Sequence, residues 1–257
     1  MKFGALIIGD EILRGKRQDR HFPKLVELLA ARGLHLSWVE YLGDNRAQLI
    51  AALQRTFATG DAAFCFGGIG STPDDQTRQS VAAALGVELK LHPEAAALIR
   101  AAIQRRSGQE PNAQQLQMGE FPEGAELIPN AYNGIPGFSI RAHHFMPGFP
   151  VMAHPMLEWL LDRRYAAFHH QQTELEASIF VYGIPESAAT PLMIEVETRF
   201  DRLKVFSLPH VGGEGVRRHI ELGVRGDPTQ VRAAIVELRE GVVALGATYD
   251  EDAPAQE

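Results

Sequence analysis

Residues 67–77 read Gly-Gly-Ile-Gly-Ser-Thr-Pro-Asp-Asp-Gln-Thr. Three glycines within four positions, Gly67, Gly68 and Gly70, let the main chain enter positive φ and approach a ligand closely. Successive amides in such a turn make a concave nest for an anion, and a helix starting behind it adds the positive end of its dipole. Ser71, Thr72 and Thr77 add hydroxyl groups. The same residues also have an ordinary use. Thr72 can N-cap a helix, with Pro73 in its first position and Asp75 as the acidic capping partner. That use leaves the three glycines and Asp74 without a role. The segment is therefore read as a binding loop for a phosphate-bearing nucleotide or pterin.

The two aspartates would repel a phosphate. A divalent cation reconciles them, since Mg²⁺ takes one or two carboxylates together with phosphate oxygens. An ion held by Asp74 and Asp75 could polarise a pyrophosphate for attack by water. Without it, the acids could instead recognise the donor-rich edge of a pterin or a ribose. Arg14, Lys16, Arg46 and Arg78 are nearby sources of positive charge. Lys16 and Arg17 also read simply as a basic surface patch.

The elements that must hold this loop alternate. Phe3–Ile8, Leu34–Leu42, Asp61–Phe66 and Ser139–Met146 read as strands. Helical patterns lie between them: one with Phe22, Val26 and Leu29 on a face and Gly33 as its stop, and one with Leu49, Leu53 and Phe57 at i, i+4, i+8 and a capping box from Asn45 and Gln48. A third runs from the Gly-rich loop to Leu85, a fourth over Pro93–Arg106 and a fifth over Met152–Tyr165. Residues 108–137 read as mostly loop. Alternation of this kind predicts an α/β fold with a mostly parallel sheet between two helical layers. Ligands then bind beyond the carboxyl ends of the strands, which is where Gly9, Asp10 and Glu11 follow the first strand and Asp44 the second. From residue 173 the pattern changes to β-α-β-β-α, with strands over Leu175–Tyr182, Leu203–Leu208 and Val216–Arg225 and helices over Pro185–Phe200 and Pro228–Leu245. This predicts a small α+β module of split-βαβ type. The expected division is a domain over 1–168, a module over 173–249 and a disordered tail over 250–257.

The 257 residues carry a net charge of −7, which argues against nucleic acid or an acidic membrane as a partner. No apolar run approaches the roughly 20 residues of a membrane span. The single cysteine, Cys65, builds neither a disulfide framework nor a cysteine zinc site, and a reducing cytoplasm fits. Cys65 lies in an apolar strand and reads as core. His143-His144 and His169-His170 suggest metal binding, but neighbours on a strand point to opposite faces and chelate poorly. Gly212-Gly213-Glu214-Gly215 matches the Gly-x-x-Gly of an RNA-clamping KH module; between two strands it reads as a hairpin turn.

Taken in order, Gly9-Asp10-Glu11-Ile12-Leu13, Gly43-Asp44-Asn45-Arg46 and Gly67 through Arg78 resemble the molybdopterin-binding domain. The closest form is the N-terminal part of the competence/damage-inducible CinA family. The likeness continues in Pro111-Asn112, in Gly134-Ile135-Pro136-Gly137-Phe138 and in Pro147-Gly148-Phe149-Pro150. The resemblance implies a three-layer α/β/α fold and a homo-oligomer. It implies that the Gly-rich loop holds a molybdopterin phosphate or a nucleotide, with Pro147 and Gly148 alongside, and that Asp44 with Asp74 or Asp75 are functional acids. For CinA-like proteins it further implies metal-dependent hydrolysis of ADP-ribose and similar dinucleotides. A related domain fused to FAD synthetase handles a flavin dinucleotide. This chain departs from the pattern at Ser71, where proline is common, at Val151-Met152, where Ser-Glu is usual, and at Asp19-Arg20-His21, where an Asn-x-Asn pattern is usual. Three functions are thus in view: a binder of a phosphorylated pterin or nucleotide, a metal-dependent dinucleotide pyrophosphatase, and an RNA-associated or structural protein acting through its C-terminal module.

Overall fold

In the computed structural model, which describes residues 1–171, 174–213 and 217–253, the chain divides into two units, Met1–His170 and Gln171–Glu257. The first unit runs β1 (Phe3–Ile8), α1 (Asp10–Leu13), α2 (His21–Ala30), β2 (Leu36–Leu42), α3 (Arg46–Thr59), β3 (Ala62–Phe66) and α4 (Thr77–Leu85). It continues through β4 (Leu89–Leu91), α5 (Pro93–Ser107), α6 (Ala113–Leu116), β5 (Glu120–Pro122), β6 (Glu126–Ile128), β7 (Gly137–Ile140), β8 (His143–Met146) and α7 (Pro150–Arg164).

Six of these strands form one sheet in the order β2-β1-β3-β8-β7-β6. β2, β1, β3 and β8 are parallel; β7 runs against them, and β6, antiparallel to β7, runs with them again. β1 and β3 are buried along their whole length, which is why they read as continuous apolar runs. Alternate residues feed two cores. Phe3, Ala5, Ile7, Phe64 and Phe66 pack with Leu25 and Leu29 of α2 and Leu157 and Leu160 of α7. Leu6, Ile8, Ala63 and Cys65 pack on the other face with Leu49 and Leu53 of α3 and Val81 of α4. This is a three-layer α/β/α arrangement with a mainly parallel sheet.

Three sequence expectations change here. Ser139–Met146 is a hairpin, not one strand: β7 and β8 pair antiparallel around Arg141-Ala142. Arg141 takes a φ of 52°, a conformation usually marked by glycine or asparagine in such turns. Its guanidinium over the Phe57 ring, 5.6 Å from the centroid, anchors the turn instead. The buried face of α2 is also rotated by one residue. His21, Leu25, Leu28 and Leu29 face the core, and Phe22 and Val26 are exposed. Finally, α4 begins at Thr77 rather than beside Thr72. Of the expected capping box on α3, the Asn45 side chain accepts from the Gln48 amide.

The second unit runs β9 (Leu175–Tyr182), α8 (Glu186–Arg199), β10 (Leu203–His210), β11 (His219–Gly226), α9 (Pro228–Ala244) and β12 (Thr248–Asp250). Its four strands form an antiparallel sheet ordered β10-β11-β9-β12, the split-βαβ arrangement. Ile179, Val181, Leu222 and Val224 pack on Val231 and Leu238 of α9 and Val196 of α8. β12 is an addition to the sequence reading; Thr248 and Tyr249 close the expected module and Asp250 opens the expected tail. The expected turn at 212–215 extends past the described residues, and so do the start of the strand expected from Val216 and the tail beyond residue 253.

Candidate functional site

β3 delivers the chain to Gly67, and the loop from Gly67 to Gln76 lies beyond its carboxyl end, where a parallel sheet opens to ligands. Gly67 (φ 107°) and Gly68 (φ 69°) both occupy positive φ. A Cβ on Gly67 would lie 2.1 Å from the Ile8 carbonyl oxygen, and one on Gly68 would lie 2.2 Å from Thr77 Oγ1. Only glycine fits either position.

The loop's carbonyls are held from behind. The Thr77 hydroxyl donates to Gly67 O at 3.0 Å, and its amide donates to Gly68 O at 3.0 Å. The buried Arg78 guanidinium donates to Gly70 O at 2.6 Å and to Gln117 and Glu120 carbonyls on the neighbouring segment. Gln114 Nε2 reaches Ser71 O at 2.9 Å. Thr72 donates its amide and hydroxyl to Asp75 Oδ2 at 2.8 and 2.6 Å, and the Asp75 amide returns to Thr72 O. This is the reciprocal contact of a helix start closed within a turn, so α4 waits until Thr77. The amides of Gly68, Ile69, Gly70 and Ser71, by contrast, have no hydrogen-bond partner among the described residues.

These four residues border a cavity of 740 Å³. Gly67, Thr72, Asp74 and Asp75 complete that side. Gly9, Glu11 and Asp44 line it from the ends of β1 and β2, and Pro147 and Gly148 from the end of β8. His21 supports the last wall: its Nε2 lies 3.2 Å from Gly148 O, and its ring stacks on Phe66. Burial pulls the His21 pKa down, so its neutral form is favoured in this wall.

Two expected site residues sit elsewhere. Thr77 is fully buried beneath the loop, with its hydroxyl engaged by Gly67. Asp10 turns toward Asp44 and Arg14. Its amide donates to Asp44 Oδ2 at 3.0 Å, and its carboxylate accepts from the Asp44 amide at 3.3 Å and pairs with Arg14 at 2.7 Å. Of the expected cations, Arg14 is thereby paired and Arg78 is structural. Lys16 and Arg17, read also as plain surface, line the cavity. The amides of both return to Glu11 O, closing the turn after α1 that carries them there. Met118, Asn130, Asn133, Phe149 and Met152 also line it. Their types carried no chemical signal, though the motif around Gly134-Ile135-Pro136 marked the neighbourhood.

The lining carries four carboxylates, Glu11, Asp44, Asp74 and Asp75, against two cations. Partial burial holds the Asp44 carboxyl above the ordinary aspartate range, and the charges of Asp10, Glu11 and Asp74 push the same way. Among the described residues, no group of three or more His, Cys, Asp or Glu side chains is placed to hold a metal by itself. A cation at Asp74 and Asp75 would have to share its coordination with ligand oxygens or water.

His143 and His144 serve the core, whereas His169 is half-buried and His170 exposed. His143 bonds Thr56 on one side of the sheet at 2.9 Å, and His144 bonds Ser139 and Tyr165 at 2.8 and 2.6 Å. His169 lies 3.1 Å from Leu161 O, and the His170 amide donates to Arg32 O. Cys65 is buried, which raises its thiol pKa well above the ordinary value. Among the described residues, no helix is long and apolar enough to cross a membrane.

A family model described as a probable molybdopterin binding domain matches residues 4–167. A CinA-like protein of Anaeromyxobacter sp. (strain Fw109-5) is 35% identical over 195 residues, 73% of this chain and 46% of that relative. The chain therefore spans less than half the length of that relative, and its matches to three further CinA-like proteins cover 34% of each. A protein of Aeropyrum pernix is 28% identical over 95% of both chains. The crystal structure of CinA from Thermoplasma acidophilum superposes with a TM-score of 0.56 at 22% identity, covering 63% of this chain and 96% of that one; this is a likeness of fold.

Proposed function

The chain belongs to the molybdopterin-binding domain family, and on that premise we propose that the cavity of its first unit binds a phosphorylated pterin or nucleotide through the amides of Gly68, Ile69, Gly70 and Ser71. One observation carries this reading. The loop's carbonyls at Gly67, Gly68, Gly70 and Ser71 are each engaged by Thr77, Arg78 or Gln114, while four consecutive amides beside a 740 Å³ cavity are left unpaired. Unpaired main-chain amides are costly where they are not solvated, and an anion satisfies several at once. Lys16 and Arg17 supply compensating charge. A cavity of this size suits a small ligand of nucleotide or pterin dimensions.

Calorimetry with ADP, ADP-ribose and FAD tests the reading. Saturable binding is expected, weakened at least tenfold by Gly68→Ala. Binding of none of these probes, nor of a phosphorylated pterin, would overturn it.

A second reading, hydrolysis of a dinucleotide's diphosphate, draws support from the excess of carboxylates. A Mg²⁺ ion shared between Asp74, Asp75 and phosphate oxygens would polarise the diphosphate. Asp44, its pKa raised, is the acid best suited to accept a proton from attacking water. Release of AMP from ADP-ribose with added divalent metal, abolished by the pair Asp74→Ala and Asp75→Ala, is the expected result. Binding without turnover across Mg²⁺, Mn²⁺, Co²⁺ and Ni²⁺ would leave the protein a binder. The same reading takes the two units as separate domains, the protein as a homo-oligomer and its compartment as the cytoplasm. Limited proteolysis near residue 172, light scattering and cell fractionation check these points.

A further inference from the structure

A second concavity, of 630 Å³, adjoins the first. The two share a wall, since Asn130, Asn133 and Ile135 line both. That wall is rigidly built. Asn130 Oδ1 accepts from the Tyr132 amide and its Nδ2 donates to Ile135 O; Asn133 Oδ1 accepts from the Ile135 amide; and the Gly134 amide returns to Asn130 O. The second concavity is also lined by Arg105 and Arg106 at the end of α5, and by Tyr132, which is 62% exposed.

The chemistry of this second lobe is opposite to that of the first. It contains two arginines and no carboxylate, whereas four carboxylates line the first. Among the described residues neither arginine forms an ion pair, in a chain that is acidic overall. Basic residues in the last turn of a helix are favoured by its dipole, which explains their presence on α5. It does not explain why both also line a concavity joined to the binding cavity, beside an exposed aromatic ring. Arg105 is in addition braced there: its Nε donates to Ala101 O at 3.2 Å, and its guanidinium approaches so near Gly134 that a Cβ would lie 3.2 Å from it. Guanidinium groups bind phosphate through paired donors, and tyrosine offers a stacking face.

We propose that the second concavity is the far half of the same binding site and receives a second phosphate, a monoester, of an elongate dinucleotide-type ligand. Arg105 and Arg106 hold that phosphate, and Tyr132 carries the adjoining ring. The proposal rests on the reading of the Gly-rich loop given above and extends it from a phosphate site to a two-phosphate specificity.

The test uses two pairs of probes that differ by one phosphate monoester, NAD⁺ against NADP⁺ and dephospho-coenzyme A against coenzyme A. Affinities are measured by calorimetry at fixed ionic strength on the full chain, on Arg105→Ala with Arg106→Ala, and on Gly68→Ala. The phosphorylated member of at least one pair is expected to bind about tenfold more tightly to the unaltered protein. The double arginine variant should lose that preference and leave the unphosphorylated member unchanged. Gly68→Ala should weaken both members. Loop-dependent binding with no preference for the extra phosphate, or a preference that survives the arginine substitutions, overturns the proposal while leaving the loop reading intact. If none of the four probes binds, this ligand class is wrong and the proposal falls, whatever ADP or a pterin does at the loop.

Discussion

Gly68 and Gly86 lie near the two ends of α4 in nearly the same backbone conformation, φ 69° and 68°, but in different surroundings. A Cβ on Gly86 meets nothing within 4 Å, whereas one on Gly68 would lie 2.2 Å from the Thr77 hydroxyl. Alanine at either site pays the left-handed penalty, about 1–2 kcal/mol, partly offset by a stiffer unfolded chain. At Gly68 alone the Thr77 side chain must also move, breaking its buried bond to Gly67 O. A buried polar group left unpaired costs about 1–3 kcal/mol. Gly68→Ala is therefore expected to destabilise the first unit by about 2 kcal/mol more than Gly86→Ala. Both tryptophans, Trp38 and Trp159, lie in this unit, so urea unfolding followed by tryptophan fluorescence reports on it. Equal losses in the two variants would show that Thr77 does not brace the loop as described.

Three further outcomes follow from the same geometry. Arg78→Met removes the donor to the carbonyls of Gly70, Gln117 and Glu120; a loss of about 3 kcal/mol is expected, with ligand affinity falling as well, measured by urea unfolding and calorimetry. Burial lowers His143 and His144 from an ordinary 6.5 to about 4 and about 3, so the unfolded chain binds more protons between those values and 6.5. Stability should be full above pH 7 and fall as the pH drops, by about 2 kcal/mol for each histidine at pH 5; His143→Gln with His144→Gln should flatten that slope in urea titrations. Asp44→Asn removes a charge that burial first, and the neighbouring carboxylates of Asp10, Glu11 and Asp74 second, disfavour, while keeping an acceptor for the Asp10 amide. It should raise the melting temperature slightly yet reduce any diphosphate hydrolysis, as thermal melting and an AMP-release assay would register.

Features that depend on local residue type were legible in the sequence. The doubly buried strands read as continuous apolar runs, and the glycines at 67 and 68 announced a backbone no other residue could take. What escaped depended on contacts between distant segments. Thr77 looked like a ligand hydroxyl, but its fate depends on where Gly67 O comes to lie. Thr72 and Asp75 carry the spacing of a helix start, yet their bond closes a turn, because the next residues must carry Thr77 and Arg78 under the loop. The β7–β8 turn has no glycine or asparagine, so its signal was absent, and the anchoring Phe57 lies 84 residues away from Arg141 in sequence. The α2 face was misplaced by one residue because His21, a polar type, takes a core position against Phe66. The cationic side of the cavity was legible in part: Lys16 stood among the candidate charges, whereas Arg17 read as surface, and both reach the cavity through the turn after α1.

The most direct measurement follows the amide resonances of Gly68, Ile69, Gly70 and Ser71 in ¹⁵N-labelled protein titrated with ADP. These four should shift together, saturably and downfield, with one dissociation constant that matches calorimetry. Saturation elsewhere in the spectrum with these four unmoved would mean that the phosphate sits somewhere other than on the open amides.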